Sequence, residues 1–208
     1  MATLTITQAG DPDPGLVRAV AAGNAIIVEQ SLLDAVQRRC DEARRALRDG
    51  RPVYGVNTGM GALSKVRLTE RQQLSHQRNL LLARATGGPP WLDRPEVRAI
   101  ITVRLLTFLS GDAAVSAGLC RRLAEFLDTG IVPAVPRTGM GAAGEIMQLA
   151  HAFGPMVGIG QVLGPDGALR PAREALRSRG LAILDIAVGL AILRRAEQES
   201  AGTMLRYR

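Results

Sequence analysis

Two stretches of this chain carry the same five residues, TGMGA: one at 58–62 within VYGVNTGMGALS, the other at 138–142 within PRTGMGAAGEIMQLAH. The second copy also completes a G-x-G-x-x-G through Gly139, Gly141 and Gly144. A dinucleotide site of that pattern needs a strand before the glycines, a helix after them and an acid about 20 residues on, at the end of the next strand. Here IVPAVP precedes the glycines, and a central parallel strand does not tolerate Pro133 and Pro136. Asp166 lies near the required distance but in a turn. A P-loop is excluded because no Gly-Lys-Ser/Thr follows. A generic anion cradle at the start of the following helix stays open, since free N–H groups and the helix dipole favour negative charge there.

Other reactive side chains are sparse. Cys40 and Cys120 are far apart, sit in helical patterns and read as buried or half-buried free thiols. His76 and His151 have no histidine partner at metal-binding spacing, so no metal is expected. The net charge of +7 raises the question of nucleic acid. Against it, the arginines are scattered, Lys65 is the only lysine, and aromatics that could stack on bases make up just 3%. Nucleic acid is therefore not an expected partner. The charge reads either as solvated helix faces or as a basic surface for an acidic protein or a carboxylate-bearing substrate. No apolar run is long enough for a bilayer and no secretory signal is visible, so a cytoplasmic chain without membrane contact is the expectation.

The elements that must position the loops are mostly helices. TLTIT reads as a short strand, GDPDPG as a turn, and 14–22 as a short helix. Residues 31–50 carry a helical pattern, with Ser31 and Asp34 in capping-box spacing and Gly50 as a stop. The first glycine loop follows. Thr69 with Gln72 then opens a helix to about Arg84, which TGGPPWLDRP breaks. Helices are expected over 95–110 and 114–128, then the second glycine loop, then a helix over 145–158 that Pro155 kinks or ends. After a turn at GPDGALRP, a last helix is expected from about Arg173 onward. Its GLAILDIAVGLAIL is apolar nearly all round and needs cover.

Taken together, the loops resemble a known family. VYGVNTGMG at 53–61 is similar to the inner-loop signature YGVNTGFG of the aromatic amino-acid and histidine ammonia-lyases, and HQRNLLLARATGG at 76–88 to their following helix. GMGAAGEIMQLAH at 139–151 resembles their GSVGASGDLAPLAH, the segment that makes the prosthetic group; GLAILDIAVGLAIL resembles the stretch leading to their NGT motif. The likeness runs in order over roughly 15–195. It implies a mainly α fold like the N-terminal domain of the ammonia-lyase (aspartase-like) fold, with two glycine-rich loops. The whole of 1–208 would be a single truncated domain, its last helix (about 173–200) corresponding to the start of the family's central bundle.

In that family an Ala-Ser-Gly tripeptide cyclises and loses water to give a methylideneimidazolone, the electrophile that turns the substrate's amino group into a leaving group. Here the tripeptide reads Ala142-Ala143-Gly144. Ala143 has no hydroxyl to eliminate, so the resemblance implies a chain without that group and without another cofactor. Other departures agree. Ala83-Arg84 stands where many members have a Ser-His tied to substrate choice, Glu145 replaces an Asp, and Arg194-Arg195-Ala196 replaces the NGT motif. The sequence ends at Arg208, well under half the family's length.

What survives is the inner loop. Tyr54, Gly55, Asn57, Thr58 and Gly59 match residue for residue, which makes Tyr54 the candidate general base or acid. Gly55, Asn57, Thr58, Gly59, Arg84, Gly141, Ala142, Ala143 and Gly144 are the substrate-binding candidates. Free tyrosine titrates at about 10, so a tyrosine base needs cationic or hydrogen-bonding help. Arg84 or Arg137 would give it if the fold brings either close. One expectation is a small enzyme moving a proton in an isomerisation, elimination or cyclisation of a conjugated or carboxylate-bearing molecule, in specialised biosynthesis. The other is a non-catalytic subunit that forms a homo-oligomer or joins a second lyase-like chain. A loop kept only for folding, or a gene fragment without function, also fits these letters.

Overall fold

The computed structural model describes residues 2–48, 50, 52–139 and 146–184, which form seven helices and five short strands. Strands β1 (Thr3–Ile6) and β2 (Ala25–Val28) are parallel, with Thr3 opposite Ala25 and Ile6 opposite Val28. Parallel neighbours need a crossover, and α1 (Pro14–Ala21) supplies it. Asp13 caps that helix by accepting the N–H groups of Gly15 and Leu16, both at 3.0 Å. Pro14 takes the first helical position, where its missing N–H is not needed. The sequence pattern reveals β1 and α1 but not β2, whose four residues AIIV are too few to show a period.

Helix α2 (Gln30–Arg48) begins one residue ahead of the expected start. Ser31 therefore lies inside the first turn and forms no capping box; Asp34 instead accepts from the Gln30 amide at 2.6 Å, and the Glu29 carbonyl takes the N–H of Leu32. Helix α3 (Glu70–Arg84) opens on the expected box, with the Thr69 N–H on Gln72 Oε1 at 2.9 Å and the Gln72 N–H on Thr69 Oγ1 at 3.4 Å.

The centre of the molecule is α4 (Arg94–Leu109), packed against α1 and α5 (Ala117–Thr129). It buries Val97, Ile101, Leu105, Leu106 and Leu109 with Phe126, Leu123 and Cys120 of α5 and Ile26 of β2. Two cations, Arg98 and Arg122, are buried among the described residues. Arg98 is buried and donates to three backbone carbonyls: Val20 at 2.8 Å, Asn24 at 2.9 Å and Leu127 at 2.6 Å. Each marks the end of α1 or α5, or the turn before β2, so one planar guanidinium caps three chain segments. Asp128 adds a tie by accepting the Ile26 N–H at 3.1 Å. Both thiols are free and buried, and burial pushes Cys120 up to about 12.

After Gly130, whose φ of 69° closes α5, the chain forms a three-stranded antiparallel sheet. It comprises β3 (Val132–Pro133), β4 (Gln161–Leu163) and β5 (Leu169–Pro171), with the expected turn between β4 and β5. Pro133 is accommodated because β3 is a two-residue edge strand. Helix α6 (Ile146–Phe153) gives way to a tighter turn over Gly154–Val157, where Pro155 breaks it as expected.

The last helix departs from expectation. A helix continuous from Arg173 towards 200 is not formed, because α7 (Ala172–Ser178) closes two residues before Gly180. Gly180 takes φ +67°, its N–H meets the Arg177 carbonyl at 3.1 Å, and Leu181 reaches back to the Leu176 carbonyl at 2.9 Å. That pair of bonds around a left-handed glycine is a Schellman closure. Leu181 and Leu184 then pack on the core, with the Leu184 N–H on the Met156 carbonyl at 2.9 Å. Residues 185–208, and so the rest of the expected helix, lie outside the described residues.

Candidate functional site

The Tyr54 loop is built from its own backbone. The Asn57 side chain accepts the Val53 N–H at 2.7 Å, and the buried Thr58 hydroxyl donates to the Gly59 carbonyl at 3.1 Å. The Gly59 N–H reaches Val66 O and the Leu68 N–H reaches Asn57 O, both at 3.0 Å, so the two arms close on each other. Gly59 is required by space: a Cβ there would stand 2.7 Å from both the Cβ and the carbonyl oxygen of Leu63. Gly55 adopts φ +70°, open to glycine at little cost. Thus Asn57, Thr58, Gly59 and Gly55 all shape the turn.

Tyr54 folds over this frame. Its hydroxyl oxygen accepts the Gly61 N–H at 3.1 Å while the residue stays 59% exposed. Helix α3 straps the loop from beneath. Gln77 Nε2 donates to the Gly55 carbonyl at 2.7 Å and Gln73 Nε2 to the Leu68 carbonyl at 3.0 Å. Sequence reading missed both glutamines, because side chains that hold a backbone carbonyl leave no motif.

The second loop is held at its stem. The Leu92 N–H donates to Val135 O and the Arg137 N–H to Pro90 O, each at 2.8 Å, with Trp91 bridged to Pro136 between them. Helix α6 fixes the same stem: Gln148 Nε2 donates to the Thr138 carbonyl at 3.2 Å, and His151 Nε2 accepts the Gly87 N–H at 3.1 Å. An acceptor nitrogen carries no proton, so this imidazole is neutral. Burial holds His151 below its ordinary value, against the pull of a hydrogen bond to the Ala134 backbone. Gly87 admits no side chain, since a Cβ would lie 2.4 Å from Pro136 Cγ.

Arg137 turns away from the role considered for it. Its guanidinium is bidentate on Glu96, at 2.9 and 2.6 Å, with Asp93 at 3.4 Å. That hydrogen bonding keeps the Glu96 carboxyl below the usual range and raises the arginine in turn. Arg84 is exposed in the last turn of α3. Among the described residues no hydrogen bond or ion pair joins either arginine to Tyr54, whose hydroxyl is bonded to Gly61. Gly141, Ala142, Ala143, Gly144 and Glu145 lie outside the described residues, so their placement does not enter the site. Among the described residues, no three of His, Cys, Asp and Glu gather to hold a metal, and no helix is long and apolar enough to cross a membrane.

The two loops are thus stationed on a packed pair of helices, α3 under the first and α6 under the stem of the second. Residues 14–196 match the family model described as aromatic amino acid lyase. The tyrosine ammonia-lyase of Cupriavidus metallidurans is 35% identical over 184 residues, covering 86% of this chain and 34% of that protein. A probable histidine ammonia-lyase of Thermoplasma acidophilum is 35% identical over 157 residues, covering 75% and 32%. Among solved structures, the tyrosine aminomutase from Streptomyces globisporus superposes with a TM-score of 0.79 at 28% identity, covering 92% of this chain and 36% of that one. The chain spans about a third of the length of the curated relatives it matches.

Proposed function

This chain belongs to the aromatic amino acid lyase family, and we propose that it works without the family's methylideneimidazolone, as a small enzyme that moves a proton by way of Tyr54. The carrying observation is the side chain at 143: the residues present do not fit the group, because Ala143 offers no hydroxyl whose loss would create the methylidene. No step is therefore routed through it. The substrate class is a conjugated or carboxylate-bearing small molecule in specialised biosynthesis, held between the two TGMGA loops in a cytoplasmic protein.

In this reading Tyr54 acts as its phenolate, takes a proton from carbon beside the conjugated acid to become the phenol, and returns that proton elsewhere on the same molecule. The Gly61 N–H, already on the phenol oxygen at 3.1 Å, then faces the charge left when the proton departs. Backbone N–H groups of the second loop would steady the substrate's own charge. Three measurements test this. The intact mass equals that of the sequence, with no water lost from 142–144. The purified protein releases no ammonia from phenylalanine, tyrosine or histidine. Tyr54→Phe lowers turnover of the true substrate by about 100-fold or more with folding unchanged; unchanged turnover removes Tyr54 from the mechanism.

A second reading, a lyase-like subunit that needs a partner chain or a second copy, is favoured by a different observation. No described hydrophobic side chain between Cys40 and Leu92 is buried.

A further inference from the structure

Tyr54 is held more by the backbone beneath it than by its own side chain. The residue is 59% exposed, and among the described residues its hydroxyl rests on a single donor, the Gly61 N–H at 3.1 Å. Tyr54 and Gly55 are the two central residues of a turn whose Val56 N–H meets the Val53 carbonyl at 3.1 Å. Gly55 stands there at φ +70°. Glycine takes either sign of φ with similar ease, so the sequence permits this turn without enforcing it. Gly55 also lies between Tyr54 and Gly61 in the chain, so a rotation at Gly55 swings the phenol away from the N–H that it bonds.

What opposes that rotation is the grip of α3 on the Gly55 carbonyl, which takes a part-buried bond of 2.7 Å from Gln77 Nε2. A carbonyl only accepts, so the glutamine presents its amide nitrogen here and not its oxygen. Gln73 lies one turn earlier on the same face of α3 and donates to the Leu68 carbonyl at 3.0 Å, in the opposite arm of the loop. Helix α3 therefore grips the two arms separately: Gln77 holds the arm that carries Tyr54, and Gln73 holds the other. The Met60 side chain also packs beside Gly55, its Cγ and Sδ 3.4 and 3.5 Å from where a Cβ would stand. That is ordinary van der Waals contact, which leaves the hydrogen bond from Gln77 as the directional restraint.

We propose that Gln77 is a positioning residue for Tyr54: by holding the Gly55 carbonyl it keeps the phenol oxygen on the Gly61 N–H. The inference rests on the reading of Tyr54 as the proton-transfer group and adds the residue that keeps that group in place. Gln77 reaches Tyr54 only through the peptide that it bonds. A strut that merely supports the loop would steady both arms alike, so Gln73 is the comparison that separates positioning from support.

The test uses the full chain made with meta-fluorotyrosine at its two tyrosines, Tyr54 and Tyr207, with Tyr207→Phe assigning the two fluorine signals. The fluorine sits beside the hydroxyl, so its shift reports the bond to Gly61, and no substrate is needed. In the parent chain the Tyr54 signal is expected to stand apart from that of free meta-fluorotyrosine. Gln77→Met, which keeps the length and removes the donor, moves the signal more than half of the way to the free value. Gln77→Lys, which keeps a donor, brings it back, and Gln73→Met leaves it in place. Circular dichroism checks that each variant stays folded; Gln77→Glu, also without a donor near neutral pH, takes the place of Gln77→Met should that variant unfold. A Tyr54 signal indifferent to loss of the Gln77 donor would overturn the proposal. So would an equal movement in Gln73→Met, which would make both glutamines struts, or a movement in Gln77→Lys as large as in Gln77→Met. Unchanged turnover in Tyr54→Phe would remove the proton transfer while these fluorine shifts stayed as they are, so the two failures are told apart.

Discussion

Helices α3 and α4 are nearly the same length, fifteen and sixteen residues, and both are rich in aliphatic side chains. Their fates differ. Helix α4 buries Val97, Ile101 and Leu105 at intervals of four, with Leu106 and Leu109 beside them, so its apolar groups converge on one side. In α3 the leucines are Leu74 and then Leu80, Leu81 and Leu82 in a row, which point in three directions about 100° apart. No single neighbour can cover all three. The lesson is that apolar content alone does not make a core helix. The spacing of α4 is satisfied within this chain, whereas the spacing of α3 asks for contacts on more than one side.

That contrast can be broken by mutation. Phe126→Ala, at a fully buried α5 position, is expected to lower stability by about 3–5 kcal/mol in urea unfolding. Arg98→Met comes next. It leaves the carbonyls of Val20, Asn24 and Leu127 without their donor and is expected to lower stability by roughly 3 kcal/mol by the same measurement. A smaller effect follows from pH. The folded chain holds His151 below its ordinary value, so the unfolded chain takes up that proton first. This contribution is intact above about pH 6.5 and declines as pH falls below it; His151→Gln should remove that part of the pH dependence. Smallest of all, Leu63→Ser in the Tyr54 loop is expected to change stability by less than about 0.5 kcal/mol when the chain is alone. A loss comparable to Phe126→Ala would show that the loop is packed after all, and the contrast between α3 and α4 would dissolve.

Much of the helical frame was legible because its signals are local. Thr69 and Gln72 form the box their spacing announces, and Pro155 ends α6 where proline must. Apart from β1, the short strands were not legible, since pairing partners such as Ile6 and Val28, or Val132 and Leu163, are distant in sequence and each run is too brief to carry a period. At the candidate site the motif residues could be found in the sequence, but the hydrogen bonds by which they shape the loop could not. Asn57, Thr58 and Gly59 hold the turn, and Arg137 serves Glu96. Gln77, Gln148 and His151 went unassigned because they act on backbone atoms of Gly55, Thr138 and Gly87, and only the fold brings such pairs together. The break in the expected final helix was not legible because an apolar run reads as continuous helix until its glycine is seen at positive φ, as at Gly180.

The clamp made by Arg98 has a bearing on synthesis. During translation the guanidinium emerges long after Val20 and Asn24, yet it still lacks its third acceptor until Leu127 leaves the ribosome. The amino-terminal strand pair is thus completed by a residue more than a hundred positions later, since Ile26 waits for Asp128 as well. A nascent chain halted before that point would offer this guanidinium two of its three carbonyls and leave α4 without the α5 side chains that bury it.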